Sequence, residues 1–296
     1  MRLQKKLLTL YQQPVDNFFL TMLTFPCCKI NLGLNVTERR PDVYHNLETV
    51  FYPIPLNDAL EVVLLTEPSE VPYRLSQYGT VIDGAVEKNL VVRAYLMLAA
   101  DFQLPPVDIY LYKHIPSGAG LGGGSADAAY MLCLLNDFFH LHLSEETLIS
   151  YASRLGADCA FFVHRHPTFA TGIGDIFTPI GLDLKDWQIV IIKPDIFVST
   201  AEAFRGITPQ HPKRSLLDIV KEPVENWRYG MVNDFEESIF PHHPRIAEIK
   251  QQLYDMGAVY AAMSGSGSSV FGLFQKESPV PKKQDFPEDF YFSCTL

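Results

Sequence analysis

No run in this chain approaches the roughly 18 consecutive apolar residues that cross a bilayer, so a helical membrane anchor is not expected. Positive charge is also scarce. The chain has 24 Lys+Arg against 34 Asp+Glu, a net charge of -10, which argues against broad contact with nucleic acid or anionic membrane. A local basic pocket for phosphate stays compatible with that balance. Cysteine is sparse and unpatterned: Cys27, Cys28, Cys133, Cys159 and Cys294 are odd in number, two are adjacent, and none forms a C-x-x-C pair. These read as reduced thiols filling the core of a cytoplasmic protein rather than as a redox or metal motif. Internal repeats and low-complexity linkers are lacking. What is present, 47% hydrophobic and 20% charged residues over 296 positions, suits a globular chain of two domains.

The first 21 residues stand apart. Arg2, Lys5 and Lys6 precede a short apolar run that meets Pro14 and Asp16 at once, with no small-residue cleavage site, so a signal peptide is disfavoured. Residues 1–21 are expected to be a leader outside the fold, which begins at Met22. Beyond it, period-two alternation predicts strands over residues 24–36, 47–54, 59–66, 73–76 and 107–112, with Pro55 and Asn57-Asp58 separating the second from the third. Asn89 is placed to cap a helix through residue 102, and Ser144 begins another that stops at Gly156. A helix over residues 125–139 lies between them. Short strands are expected at 159–163, 168–171 and 175–179, then a clear strand at 187–193. Helices at 200–205, 216–220, 233–239 and 245–256 follow, and then strands at 259–263, 269–274 and 290–294. The mixture lacks a strict βαβ rhythm and points to α+β. Residues 22–180 and 181–296 are the expected domains.

One segment carries chemistry. In Pro116-Ser-Gly-Ala-Gly-Leu-Gly-Gly-Gly-Ser125, four of the six residues from Gly118 to Gly123 are glycine, and Gly124 continues the run. The spacing Gly118-x-Gly120-x-x-Gly123 spells a dinucleotide fingerprint, but no strand ending in an acid follows at the required distance. No Gly-Lys-Ser/Thr closes it as a P-loop. A tight turn packed on another segment needs one or two glycines, not five. A loop of this kind lets backbone amides converge on an anion, helped by the dipole of the helix that follows.

These residues resemble the second motif of the GHMP kinase superfamily. Pro26-Cys-Cys-Lys-Ile-Asn-Leu32 resembles the first motif, and Met263-Ser-Gly-Ser-Gly-Ser-Ser-Val-Phe271 the third. Finer matches are similar to the branch that acts on 4-diphosphocytidyl-2-C-methyl-D-erythritol: Arg40-Pro-Asp-Val-Tyr-His45, Gly122-Gly-Gly-Ser-Ala-Asp-Ala-Ala129, Leu155-Gly-Ala-Asp158, Ala170-Thr-Gly-Ile-Gly-Asp175 and Pro212-Lys-Arg-Ser215. The resemblance covers roughly residues 24 to 275. It implies a two-domain fold, ribosomal-protein-S5-like then ferredoxin-like. It also implies transfer of the ATP γ-phosphoryl to the 2-hydroxyl of that acceptor, in the non-mevalonate isoprenoid pathway. ATP, with the Mg²⁺ that accompanies it, and a substrate bearing cytidine diphosphate would be the ligands of a monomer or weak homodimer. Three departures stand out: Cys28 precedes Lys29 where the family has alanine, Val43 replaces the family's glycine in the Asp-Gly-Tyr-His turn, and the tail after Phe274 is short and proline-rich where the family has a last helix.

The resemblance also assigns roles. Asp158 would receive the hydroxyl proton and Lys29 would stand beside it, offsetting charge on the phosphoryl group. Read alone, Asp158 could simply cap a turn, and Lys29 could be an edge lysine snorkelling to water. Asn31, however, repeats a polar side chain on the same strand face by period two. The implied ATP contacts are Asn89, Lys113, Pro116, Ser117, Gly118, Ala119, Gly120, Leu121, Gly122, Gly123, Gly124, Ser125 and Ala126. Gly265, Ser266 and Gly267 form a second glycine loop. On the acceptor side stand Asn31, Tyr44 and His45, with Thr200 and Phe204 opposite the base. A helix cap for Asn89, a solvated lysine for Lys113, surface aromatics at 44–45 and a core phenylalanine at 204 are the plainer alternatives. His164-x-His166 and His242-His243 lack neighbouring ligands, so no protein metal site is expected. Another GHMP kinase, acting on mevalonate, homoserine or a sugar, and a non-catalytic nucleotide-binding regulator stay open at this level.

Overall fold

The computed structural model describes residues 20–67, 69–80 and 84–296. The expected leader therefore lies outside the described residues except at its end. There the fold takes in two more residues than expected: the Leu20 carbonyl accepts from the Leu64 amide, and Thr21 opens strand β1 (Thr21–Thr24), pairs with Val63, and its hydroxyl donates to Glu61.

Strands β2 (Cys27–Arg39) and β3 (His45–Asn57) form a long antiparallel ribbon. Pro55 does not end β3 as the sequence suggests. The register slips between Cys27 and Cys28, which leaves Pro55 and Leu56 without a partner, and proline is tolerated at such a bulge because it has no N–H to contribute. β4 (Ala59–Leu64), β5 (Tyr73–Gly79) and β6 (Val107–Lys113) follow, with α1 (Leu90–Phe102) between β5 and β6. Asn89 caps α1, its side-chain oxygen accepting from the Val91 amide. Next come α2 (Gly123–Phe138), α3 (Glu145–Leu155), a 3₁₀ turn at Ala157–Cys159, and α4 (Phe161–His164). The run 159–163 was expected as a strand and is helical. An apolar run of that length fits a strand or a buried helix turn equally, and here Cys159, Phe161, Phe162 and Val163 are all buried.

The remaining elements are β7 (Thr168–Thr171), β8 (Ile176–Pro179), β9 (Trp187–Lys193), α5 (Thr200–Arg205), α6 (Leu216–Ile219), α7 (Val224–Trp227), α8 (Phe235–Ile239), α9 (Pro244–Asp255), β10 (Tyr260–Met263), β11 (Val270–Gln275) and β12 (Phe290–Thr295). α7 has no counterpart in the sequence expectation. The proline-rich tail ends as β12, an edge strand antiparallel to β9.

Among the described residues the strands form three four-stranded sheets, ordered β1-β4-β6-β5, β2-β3-β7-β8 and β10-β11-β9-β12. Helices pack on the first and third, so the class is α+β, as expected. The middle sheet matters most for the site. Cys28, Ile30 and Leu32 on one face of β2 join Ile189, Ile191, Tyr260 and Phe271 of the third sheet in one apolar cluster. By period two, Lys29 and Asn31 must then turn to the opposite face. Among the described residues no helix is long and apolar enough to cross a membrane.

Candidate active site

A cleft of about 870 Å³ opens between the ribbon, the glycine turn and the start of α5. From Pro116 to Ser125 every residue except Leu121 lines it. Leu121 and Ala126 face apolar clusters instead, so any contact they make with a ligand is through the backbone.

α2 begins two residues earlier than the sequence suggests. Its cap is Gly122 at φ 72°, and the Ala126 amide already donates to the Gly122 carbonyl. Ser125 is therefore inside the first turn rather than at the cap. Glycines at 123 and 124 let the helix start under the loop, and Gly123 approaches so close that a Cβ would meet Ile115 at 2.9 Å.

The three motifs meet at one atom. The Gly120 carbonyl accepts from Lys29 Nζ at 3.1 Å and from the Ser264 hydroxyl at 2.9 Å. Lys29 is 3% exposed, donates to Asn31 Oδ1 at 2.6 Å, and its Nζ lies 3.5 Å from Asp158 Oδ2 and 5.1 Å from the Phe51 ring centroid. Its backbone amide donates to the Leu121 carbonyl. Asn31 is held in turn by Thr49, whose hydroxyl accepts from the Asn31 amide group and donates to the Gly33 carbonyl. Asp158, on the 3₁₀ turn, is one-third exposed and faces the cleft. Gly265 and Ser266 line the cleft, whereas Gly267 sits behind them against Met263. This second loop is shaped by Asn233, whose amide donates to the Met263 and Gly265 carbonyls.

The aromatic end of the cleft differs from the expectation of two walls with a gap. His45 and Phe204 stack directly on each other, centroids 4.6 Å apart at 15°, and Phe204 in turn meets Phe235 edge-on. A base placed between His45 and Phe204 needs roughly 7 Å, so the two would have to part, or the base must stack on an outer face. Burial, with Arg39 nearby, lowers the His45 pKa. Tyr44 is exposed at the mouth and Thr200 lines the wall, one helical turn from Phe204. Val43 takes φ 67°, so the turn keeps the left-handed shape that glycine would favour although the residue is β-branched.

Two expected nucleotide contacts have other employment. Asn89 is not on the cleft wall: it caps α1, and its amide donates to Gln77. Lys113 reaches the cleft floor but is 2% exposed, its ammonium enclosed by Asp58 and Asp127. Sequence reading missed Thr49, Asp58, Asp127, Asn233 and Phe197. Asp58 looked like a turn residue and Asn233 like a helix start. Phe197, 72% exposed with its ring on Gly118, gave no signal at all.

Comparison with known proteins decides the family. Residues 89–166 match the GHMP kinases N terminal domain and residues 215–291 the GHMP kinases C terminal domain. The chain belongs to the GHMP kinases. It is a member of a family of ATP-dependent kinases that phosphorylate small molecules. It is 62% identical to a 4-diphosphocytidyl-2-C-methyl-D-erythritol kinase of Bacteroides fragilis, over 93% of this chain and 100% of that protein. A protein of the same name from Solidesulfovibrio magneticus is 39% identical over 86% of this chain and 92% of its own. Among solved structures, a 4-(cytidine 5'-diphospho)-2C-methyl-D-erythritol kinase superposes with a TM-score of 0.73 at 31% identity, covering 92% of this chain and 98% of that one.

Proposed function

We propose that this kinase transfers the γ-phosphoryl of ATP to the 2-hydroxyl of 4-diphosphocytidyl-2-C-methyl-D-erythritol, the step of non-mevalonate isoprenoid synthesis that its relatives are named for. The observation that carries the reading is the Lys29–Asp158 pair, 3.5 Å apart in the same cleft as the glycine turn and the His45–Phe204 aromatics. ATP phosphates would lie on the amides of the turn and the start of α2, with residues 22–180 forming the nucleotide domain. Asp158 would accept the hydroxyl proton as the new P–O bond forms. Lys29, fixed by Asn31 and Gly120, would meet the charge on the transferring group without reorganising. Mg²⁺ would arrive on the ATP phosphates. Ser125, lining the cleft in the first turn of α2, offers an oxygen donor of the kind this ion takes. Tyr44, His45, Thr200 and Phe204 would receive the cytidine.

The test is ADP release with that acceptor, mevalonate, homoserine and a hexose, each with wild type and Asp158→Asn. Turnover confined to the cytidine-bearing acceptor, and lowered about 100-fold or more by the substitution, is expected. Equal turnover with mevalonate or homoserine would overturn the acceptor, and near-wild-type turnover by Asp158→Asn would remove it from the base role.

A further inference from the structure

The glycine turn has an unusual root. Residues 116–122 include three glycines at positive φ, a backbone with much freedom to lose. Amides that must converge on phosphate cannot depend on such a segment unless both its ends are fixed.

The entry is fixed by Asp58, which sits between β3 and β4 and is 1% exposed. Its Oδ1 accepts from the His114 amide at 2.6 Å and the Ile115 amide at 2.8 Å, the two residues immediately before Pro116. Its own amide donates to the Pro26 carbonyl, at the start of the ribbon that carries Lys29. Asp58 Oδ2 pairs with the Lys113 ammonium at the end of β6. The exit is fixed by the same lysine. Lys113 Nζ donates to Asp127 Oδ2 at 2.6 Å, on α2 just past the turn. Nζ also lies beneath the helix start, 3.3 Å from where a Gly123 Cβ would be. One ammonium thus ties the strand that enters the turn to the helix that leaves it. All three side chains are at most 2% exposed, Asp58 and Asp127 do not line the cleft, and the Lys113 ammonium that reaches its floor is held by both carboxylates.

We propose that Asp58, Lys113 and Asp127 are positioning residues for ATP: this buried cluster fastens both ends of the glycine turn and so sets where its amides point. The inference rests on the reading that the phosphates occupy that turn. It replaces a direct nucleotide contact for Lys113 with an action through the loop. A loosened turn binds phosphate less well but leaves the acceptor end of the cleft, built on β3 and α5, where it was.

The experiment measures steady-state KM for ATP and for the acceptor in Asp127→Ala, Asp127→Asn and Asp58→Asn, each confirmed as folded by circular dichroism. Asp127→Ala is expected to raise KM for ATP about tenfold while acceptor KM stays within about twofold, a difference of roughly 1.4 kcal/mol. Asp127→Asn keeps an oxygen facing Lys113 and recovers most of the loss. A purely structural role would lower the active fraction without separating the two KM values. Unchanged KM for ATP in Asp127→Ala, or both KM values rising together, overturns the proposal. Should Asp127→Ala fail to fold, Asp58→Asn carries the test: its Nδ2 would confront the ammonium, so a raised KM for ATP is expected and an unchanged one overturns the cluster's role. A wild-type enzyme whose rate does not saturate with ATP would instead overturn the placement of phosphates on the turn.

Discussion

Gly120→Ala probes the atom on which the three motifs converge. Gly120 has φ 74°, where an alanine costs about 1–2 kcal/mol relative to glycine. The added Cβ would also lie 1.9 Å from the Ser264 carbonyl oxygen, a backbone atom that cannot rotate away. Ordinary contact needs roughly 3.4 Å, so the turn must retreat by about 1.5 Å. That retreat breaks the hydrogen bonds from Ser264 at 2.9 Å and Lys29 at 3.1 Å to the Gly120 carbonyl, each worth about 1 kcal/mol. The sum, about 3–4 kcal/mol, corresponds to a fall in Tm of about 10 °C for a chain of this size. If the amides of the turn bind phosphate as proposed, displacing them by more than 1 Å adds a kinetic loss of roughly 100-fold in kcat/KM for ATP. Gly124→Ala supplies the contrast, because its Cβ would meet nothing closer than Leu90 at 4.0 Å and its φ is unstrained. Thermal melts and initial rates of ADP release against ATP concentration measure both effects. A Gly120→Ala enzyme that melts and turns over like wild type would refute the convergence on this carbonyl.

Three further outcomes follow from the geometry. His45→Ala and Phe204→Ala each lose an aromatic surface proposed to receive the acceptor's base; at about 1–3 kcal/mol per stacked base, acceptor KM should rise roughly 5- to 150-fold with ATP KM little changed, and equal shifts in both would contradict the proposal. Val43→Gly relieves about 1–2 kcal/mol of left-handed strain at an exposed site and loses about 0.5–1 kcal/mol to unfolded-chain entropy, so Tm should rise slightly, and a clear fall would refute the strain. Burial, opposed by Lys113, raises the Asp127 carboxyl to about 7 from an ordinary value of 3.8, so the native state binds its proton more tightly than the unfolded state does. Asp127's contribution to stability is then complete below about pH 4 and is lost as pH rises towards 7. Melts across pH 5 to 8 should show Asp127→Asn gaining on wild type as pH rises, whereas parallel curves would exclude the shift.

Much of this fold was legible because apolar period and capping agree with tertiary structure over long stretches. Asn89 and Ser144 cap the helices that their side chains announce, and the alternation in β2 placed Lys29 and Asn31 on one face. The failures share a physical cause, in that local pattern was read where packing decides. Five residues at 159–163 carry no period that distinguishes a strand from a buried helical turn. Pro55 reads as a break until the bulge opposite Cys27 and Cys28 is known. Ser125 is a good cap by type, yet Gly122 takes the position because the glycines let the helix reach further back.

The site shows the same division more sharply. Residues that would touch ligand stand out in sequence, since amide convergence demands glycine and phosphoryl transfer demands a charged pair. Residues that hold those groups in place do not, because their partners are distant in the chain. Asp58 meets Lys113 across 55 positions, and Ser264 meets Asn31 across 233. An acid in a turn and a lysine at a strand end each have an ordinary surface reading, and only burial reveals that their charges answer one another. Lys113 illustrates the consequence. Sequence resemblance made it a ligand contact, while its enclosure by two carboxylates is the ground for proposing that it acts on ATP through the turn. A substitution there acts first on the shape of the turn and only through it on phosphate.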